Sequence, residues 1–283
     1  MKVISLINMK GGVGKTTMAV NICHCLSTRE GKKVLLIDVD PQFNATQCVF
    51  NPEAYIKYLR SGGDTIISVF DEENSVVAGT VDGIKPKEAK ELSQVKPYKI
   101  NDQWYVLPGN LNLYQIDMPS GSGKENSIKR YIEEIQSAYN FDYVIIDTPP
   151  TPSVWMSSAL IASDYYLIPV KPDPLSYTGI DLLEGIVKKR KRSFNLKIKC
   201  IGIIFTMADK NTLVYRGAID YVNKTKKSDL KFANDITQRT IIARGITKQQ
   251  YILDVGNDAS KKELLLVVKE LIKRIEEDEK KGK

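Results

Sequence analysis

Short, mostly apolar runs of four to six residues recur along the chain, at 3–7, 34–37, 143–146, 165–170 and 200–205. None of them alternates apolar with polar positions. A strand with water on one face alternates, whereas a strand covered on both faces stays apolar, so these runs predict a mostly parallel sheet with helices on both faces. Between the first two runs, residues 16–29 place Met18, Ile22, Cys25 and Leu26 at helical spacing, and Gly31 stops the helix. The chain therefore opens strand, loop, helix, strand. Residues 42–140 are less regular, because Ser61-Gly62-Gly63-Asp64 and a Lys-rich stretch at 85–99 interrupt them. Helices and loops are predicted there, with one strand at 104–107. Near the end, Leu264, Leu265, Val267, Val268, Leu271, Ile272 and Ile275 return at helical spacing before the sequence turns wholly charged. This predicts a packed terminal helix over 261–279 with a frayed tail. No repeat or Pro/Ser-rich linker divides the chain, so one α/β domain spanning 1–283 is expected.

With 42% hydrophobic and 27% charged residues, the sequence is that of a folded chain rather than a disordered one. It has no stretch near the roughly 20 apolar residues of a membrane span, nor a signal-peptide core, and a cytoplasmic location is expected. Cys23, Cys25, Cys48 and Cys200 lack CxxC spacing, and His24 is the only histidine. Buried free thiols and a helix-surface histidine are expected rather than a zinc site. Lysine and arginine exceed aspartate and glutamate by 41 to 34, a net +7. That excess favours a polyanionic partner, with nucleic acid and anionic membrane both open.

The first strand runs into Asn8-Met9-Lys10-Gly11-Gly12-Val13-Gly14-Lys15-Thr16-Thr17, and a helix follows. Binding phosphate needs a loop that bends tightly enough to turn its backbone N–H groups on the anion, and a helix N-terminus aimed at the charge. Both are predicted here. Lys15 would reach the β- and γ-phosphates and the Thr16 hydroxyl would take Mg²⁺. A strict G-x-x-x-x-G-K-[ST] pattern misses the site, since Met9 stands in place of the first glycine.

Two further strands end in carboxylates. Asp38 and Asp40 close the run 34–37, two residues apart, so in an extended chain they share one face at the C-terminal end of a strand. Two anions there call for a metal or a proton, although a loop-capping role for Asp38 stays open. Asp147 closes the run 143–146, where an aspartate beside a phosphate loop holds Mg²⁺ directly or through water.

The run from Lys10 to Thr17 resembles the deviant Walker A loop of the ParA/MinD/nitrogenase-iron-protein superfamily, the SIMIBI class of P-loop ATPases. Leu36-Ile37-Asp38-Val39-Asp40-Pro41-Gln42-Phe43-Asn44-Ala45-Thr46 resembles its ParA-type Walker A′ motif, and 141–150 its Walker B. Residues 167–174 and 205–209 continue the likeness. By that resemblance Lys10 is a signature lysine that reaches the partner's nucleotide across an ATP-dependent homodimer; an incidental solvent-facing lysine is the alternative. Asp40 then orients or activates the attacking water, Asp38 lies near the Mg²⁺ shell, and Thr206 and Met207 lie near the adenine.

Asp-Pro-Gln at 40–42 and Asn-Ala-Thr at 44–46 favour a ParA-type partition ATPase over a MinD-like one. Glu276, Glu277, Asp278 and Glu279 make the tail a poor membrane anchor. No cysteine lies near the Walker B segment to hold a shared metal cluster, and with Val3 opening the first strand no N-terminal helix-turn-helix domain is expected. The resemblance implies non-specific DNA binding on the nucleoid and a ParB-type centromere-binding partner. Lys188, Lys189 and Arg190 belong to the densest cationic run, for which a solvated helix end and DNA contact are equal readings. Lys210, Arg216, Arg239 and Arg244 fall where the family makes DNA contacts.

Overall fold

The computed structural model describes residues 1–70, 90–116, 123–246 and 248–282. Lys85 and Lys87 of the Lys-rich stretch lie outside these. Eight strands form one sheet among the described residues: β1 (Lys2–Leu6), β2 (Val34–Asp38), β3 (Tyr98–Lys99), β4 (Trp104–Leu107), β5 (Tyr143–Asp147), β6 (Tyr165–Val170), β7 (Lys199–Ala208) and β8 (Ile236–Thr237). Their spatial order is β3-β4-β2-β5-β1-β6-β7-β8. Every pairing is parallel except that of β3 with β4. The sequence-predicted strands are all present, while β3 and β8, each of two residues, are additions at the edges.

The helices are α1 (Lys15–Thr28), α2 (Asn44–Val49), α3 (Pro52–Arg60), α4 (Ile67–Phe70), α5 (Ser127–Tyr139), α6 (Val154–Ala162), α7 (Pro174–Phe194), α8 (Leu213–Lys224), α9 (Thr240–Ile246), α10 (Ile252–Val255) and α11 (Asp258–Lys281). Period-two geometry splits the sheet's side chains between two cores. Ile4, Leu6, Leu36 and Ile145 face a layer made by α1 and α11. Val3, Leu35, Ile37, Val144 and Ile146 face α5 and α6, and the core continues under α7 and α8 around Ile168, Val170 and Phe205. Because both faces are covered, the strands read as apolar runs with no alternation.

Two expectations need correction. His24 is not on a helix surface: α1 is buried on nearly all sides between the sheet and α11, and the His24 ring lies 4.4 Å from that of Tyr251 and 5.8 Å from that of Trp104. Burial lowers its pKa, which leaves it neutral at pH 7. Nor is the tail frayed. The last helix continues to Lys281, with Asp278 accepting hydrogen bonds from the Tyr165 hydroxyl (2.9 Å) and the Lys199 amine (2.8 Å), and Glu279 paired with Lys2. The acidic end is thus tied to the N-terminal rim of the sheet. Cys23, Cys25 and Cys48 are buried free thiols as expected, and Cys200 is half-buried.

The topology fixes where chemistry can happen. After β1 the chain crosses to β2, and β5 later fills the gap between them, so the loop after β1 faces the C-terminal ends of β2 and β5. In open α/β sheets that crevice is where ligands bind. The register sets Asp38 beside Asp147, and Asp147 beside Leu6, the last residue of β1.

Candidate active site

The turn from β1 into α1 depends on Gly14, which stands at φ 80° immediately before the helix. A side chain there would strain the backbone. Asn8 anchors the start of the loop: its amide nitrogen donates to the Pro169 carbonyl (2.8 Å) and its oxygen accepts the Lys10 N–H (2.9 Å). At the other end the Thr206 hydroxyl donates to the Val13 carbonyl (2.7 Å). Met207, in the left-handed region at φ 49°, places its methyl group 3.7 Å from where a Cβ on Gly14 would stand. Thr206 and Met207 thus brace the back of the loop, a contact the sequence reading did not foresee.

Lys15, in the first turn of α1, is buried, and its amine lies 3.4 Å from the Lys10 carbonyl. Burial lowers its pKa, while Asp147 and Asp40 favour its charged form. The next residue, Thr16, donates its hydroxyl to Asp147 Oδ2 at 2.7 Å. Asp147 Oδ1 is buried with no hydrogen-bond partner. Burial raises the Asp147 pKa to about 7, against the opposing pull of Thr16 and Lys15. A buried carboxylate oxygen without a donor, beside a hydroxyl on the first turn of a helix, suits a hard divalent cation. Among the described residues no three His, Cys, Asp or Glu side chains gather as a metal cage. Mg²⁺ needs none, since it takes one or two protein groups and completes its shell with water and phosphate oxygens.

Asp38 is placed differently. Its Oδ2 accepts both the amide (2.8 Å) and the hydroxyl (2.7 Å) of Thr46, and its Oδ1 receives the Asp40 N–H at 3.3 Å. Burial pushes its pKa well up, and Asp147 adds to the effect. Both oxygens therefore hold the turn that follows β2. Asp40, by contrast, lines a cavity of about 920 Å³ shared with Lys15, Thr16 and the loop glycines, and accepts only the Gln42 amide (2.9 Å). Its pKa is raised by burial, against the pull of the Gln42 amide and Lys15. Away from the loop the same cavity is walled by Phe50, Tyr55 and Leu59.

A family model described as an AAA domain matches residues 1–200. The chain is 30% identical to the sporulation initiation inhibitor protein Soj of Bacillus subtilis over 247 residues, which cover 87% of this chain and 85% of that one. This chain belongs to the ParA/Soj/MinD superfamily of P-loop ATPases. It is 26% identical to the chromosome-partitioning ATPase Soj of Treponema pallidum, over 87% of this chain and 84% of that one. Among solved structures, a plasmid partition protein of Borrelia burgdorferi bound to AMPPNP superposes with a TM-score of 0.74 at 22% identity, covering 98% of this chain and 99% of that one. As a P-loop ATPase of the ParA/Soj/MinD superfamily the chain hydrolyses ATP.

Within this ParA/Soj/MinD fold the cationic residues separate. Lys188 and Lys189 are exposed on α7, with Arg190 half-buried, and Arg216 and Arg244 are exposed on α8 and α9. Lys210 pairs with Asp235 at 3.4 Å yet stays 59% exposed. Arg239 is half-buried. Its guanidinium pairs with Glu263 at 3.3 Å, and the same carboxylate takes the amide and hydroxyl of Thr237, so Glu263 of α11 fastens both β8 and Arg239.

Sequence reasoning missed Gly109. Its amide donates to Thr46 Oγ1 (2.7 Å), and a Cβ there would stand 2.7 Å from Phe43 Cβ and 2.9 Å from Asp38 Cγ. Close packing on Phe43 and Asp38 demands glycine, and a single chain offers no pattern that reveals it. Gly109→Ala should cost on the order of 1–3 kcal/mol by overpacking, read as a lower midpoint in urea unfolding. An unchanged midpoint would show that the turn yields freely.

Proposed function

We propose that this chain is a Mg-ATP-dependent partition switch, in which ATP joins two copies into a dimer that binds DNA non-specifically and positions plasmid or chromosomal cargo with a ParB-type partner. One observation carries the reading. The chain combines a Lys15, Thr16, Asp147 and Asp40 constellation on one crevice with likeness to partition ATPases over most of its own length and theirs. In it, the loop from Lys10 to Thr17 holds the triphosphate, with Gly11, Gly12, Val13 and Gly14 supplying backbone and Lys15 the main cation. Thr16 and Asp147 would hold Mg²⁺, which would supply positive charge to the triphosphate; Asp38 acts on this site by fixing the turn that carries Asp40. The Asp40 carboxylate takes a proton from the attacking water as the bond between the γ-phosphorus and the bridging oxygen breaks, leaving ADP and phosphate. Thr206 and Met207, which the resemblance puts near the adenine, support the nucleotide by bracing the loop at Val13 and Gly14.

DNA contact needs cations on one face of the dimer to displace counterions. In this reading Lys188, Lys189 and Arg190 on α7 and Arg216 on α8 supply them; Lys227, three residues past the end of α8, ties the turn after α8 to α7 by pairing with Asp181 and Glu184 at 2.8 Å. Lys210 and Arg244 add charge nearby in sequence. A membrane role finds less support. The apolar stripe of α11, including Leu264, Val268 and Leu271, is buried in the core, and no helix among the described residues is long and apolar enough to cross a membrane. The test is retention of duplex DNA with ATP against ADP, beside sedimentation with anionic liposomes. ATP-dependent DNA retention without liposome binding is expected; liposome binding alone would overturn the reading.

A further inference from the structure

The Lys10 side chain does not hang free. Its amine is held by both oxygens of Asp173, at 2.8 and 3.0 Å, while its N–H is held by Asn8 and its carbonyl lies 3.4 Å from the Lys15 amine. Asp173 comes from the turn between β6 and α7, which Pro172 and Pro174 flank, and its own amide closes a tight turn onto the Lys171 carbonyl (2.8 Å). Its position is thus set by backbone that is stiff on both sides. The pair is partly shielded, with the lysine side chain 36% and the aspartate 22% exposed.

We infer that Asp173 is a positioning residue: it parks Lys10 within its own subunit and so opposes the reach of Lys10 to a partner's nucleotide. This rests on the proposed ATP-dependent dimer and on the reach to the partner's nucleotide that the resemblance implies for Lys10, and deepens both. A lysine cannot give its charge to Asp173 and to phosphate oxygens in another subunit with the same hydrogen bonds. Joining two subunits therefore requires breaking an existing contact, and only an anion stronger than one carboxylate competes for it. A nucleotide whose γ-phosphate has gone offers less negative charge near the loop. The pair then closes again, which favours separation after hydrolysis. Asn8 helps this by fixing the backbone of Lys10, leaving the side chain alone to swing between partners. The sequence could not show this contact, because Asp173 stands 163 residues from Lys10 and only the packing of β6 beside β1 brings them together.

The test is the ATP concentration that gives half-maximal dimer, followed by light scattering, for wild type, Asp173→Asn, Asp173→Glu, Lys10→Ala and the Lys10→Ala/Asp173→Asn double variant. Asp173→Asn keeps the shape and removes the charge, and should lower the half-maximal ATP concentration roughly two- to fivefold, the scale of a part-exposed ion pair. Asp173→Glu should stay near wild type. Asp173→Asn should change nothing once Lys10 is gone, a result that a purely structural role would not give. If the Asn variant is unstable, Asp173→Ser is read the same way. An unchanged or higher concentration for Asp173→Asn, or the same shift with and without Lys10, overturns the inference. Wild-type chain that fails to dimerise with ATP would instead overturn the proposed function itself.

Discussion

Lys15→Ala should weaken ATP binding by at least roughly 100-fold, since hydrogen bonds to charged groups are worth about 1.5–3 kcal/mol each and this amine is positioned to make more than one. The expected loss is large because, among the described residues, Lys15 is the one lysine or arginine that lines the crevice. Lys15 sits buried beside Asp147 and Asp40, and the only other lysine of the loop, Lys10, is turned away onto Asp173. Without Lys15 the triphosphate would meet carboxylates with no protein charge between them, so affinity should fall even with Mg²⁺ in excess. Lys15→Gln keeps the side chain's bulk and separates loss of charge from loss of packing. The measurement is an ATP titration by fluorescence or calorimetry. Unchanged affinity in both variants would place the nucleotide elsewhere.

Asp40→Ala should behave in the opposite way, keeping ATP binding and dimer formation while slowing hydrolysis by about 10²–10⁴-fold, the scale of a positioned general base. Geometry explains why binding is spared. The Asp40 carboxylate lines the cavity and accepts one hydrogen bond, from the Gln42 amide, while the turn itself is held by Asp38 through Thr46. Removing the Asp40 carboxylate thus leaves the scaffold in place. Removing Asp38 would not, because two Thr46 donors would lose their acceptor in the core. Single-turnover phosphate release measures the effect, and a loss below tenfold would deny Asp40 the role.

The contrast between the two aspartates shows what was legible in the sequence. Spacing put both at the end of β2, and the resemblance separated their roles, but neither revealed that Asp38 gives one oxygen to both Thr46 donors and the other to the Asp40 N–H. That depends on α2 folding back over the strand end. Strands buried on both faces were readable because their apolar runs have no alternation, whereas β3 and β8, of two residues each, leave no periodic signal. The acidic tail misled for a similar reason. A run of like charges reads as solvated, yet Tyr165, Lys199 and Lys2 come from distant parts of the chain to receive it. Arg239 likewise counted as an outward cation until α11 supplied Glu263. In each case the deciding partner lies far away in sequence, and local pattern carries no trace of it.

The central claim is that ATP creates the DNA-binding form by joining two copies. On the proposed reading one monomer would offer DNA the cations of α7 and α8 alone, and joining two would double the number of phosphates neutralised, Z. The slope of log K against log salt scales as about −0.9Z for duplex DNA, and linking the patches also raises their effective concentration. DNA affinity measured across a salt series, with ATP and with ADP, therefore tests the claim most directly. A slope with ATP about twice as steep as with ADP is the predicted result, and equal slopes in the two nucleotide states would contradict it.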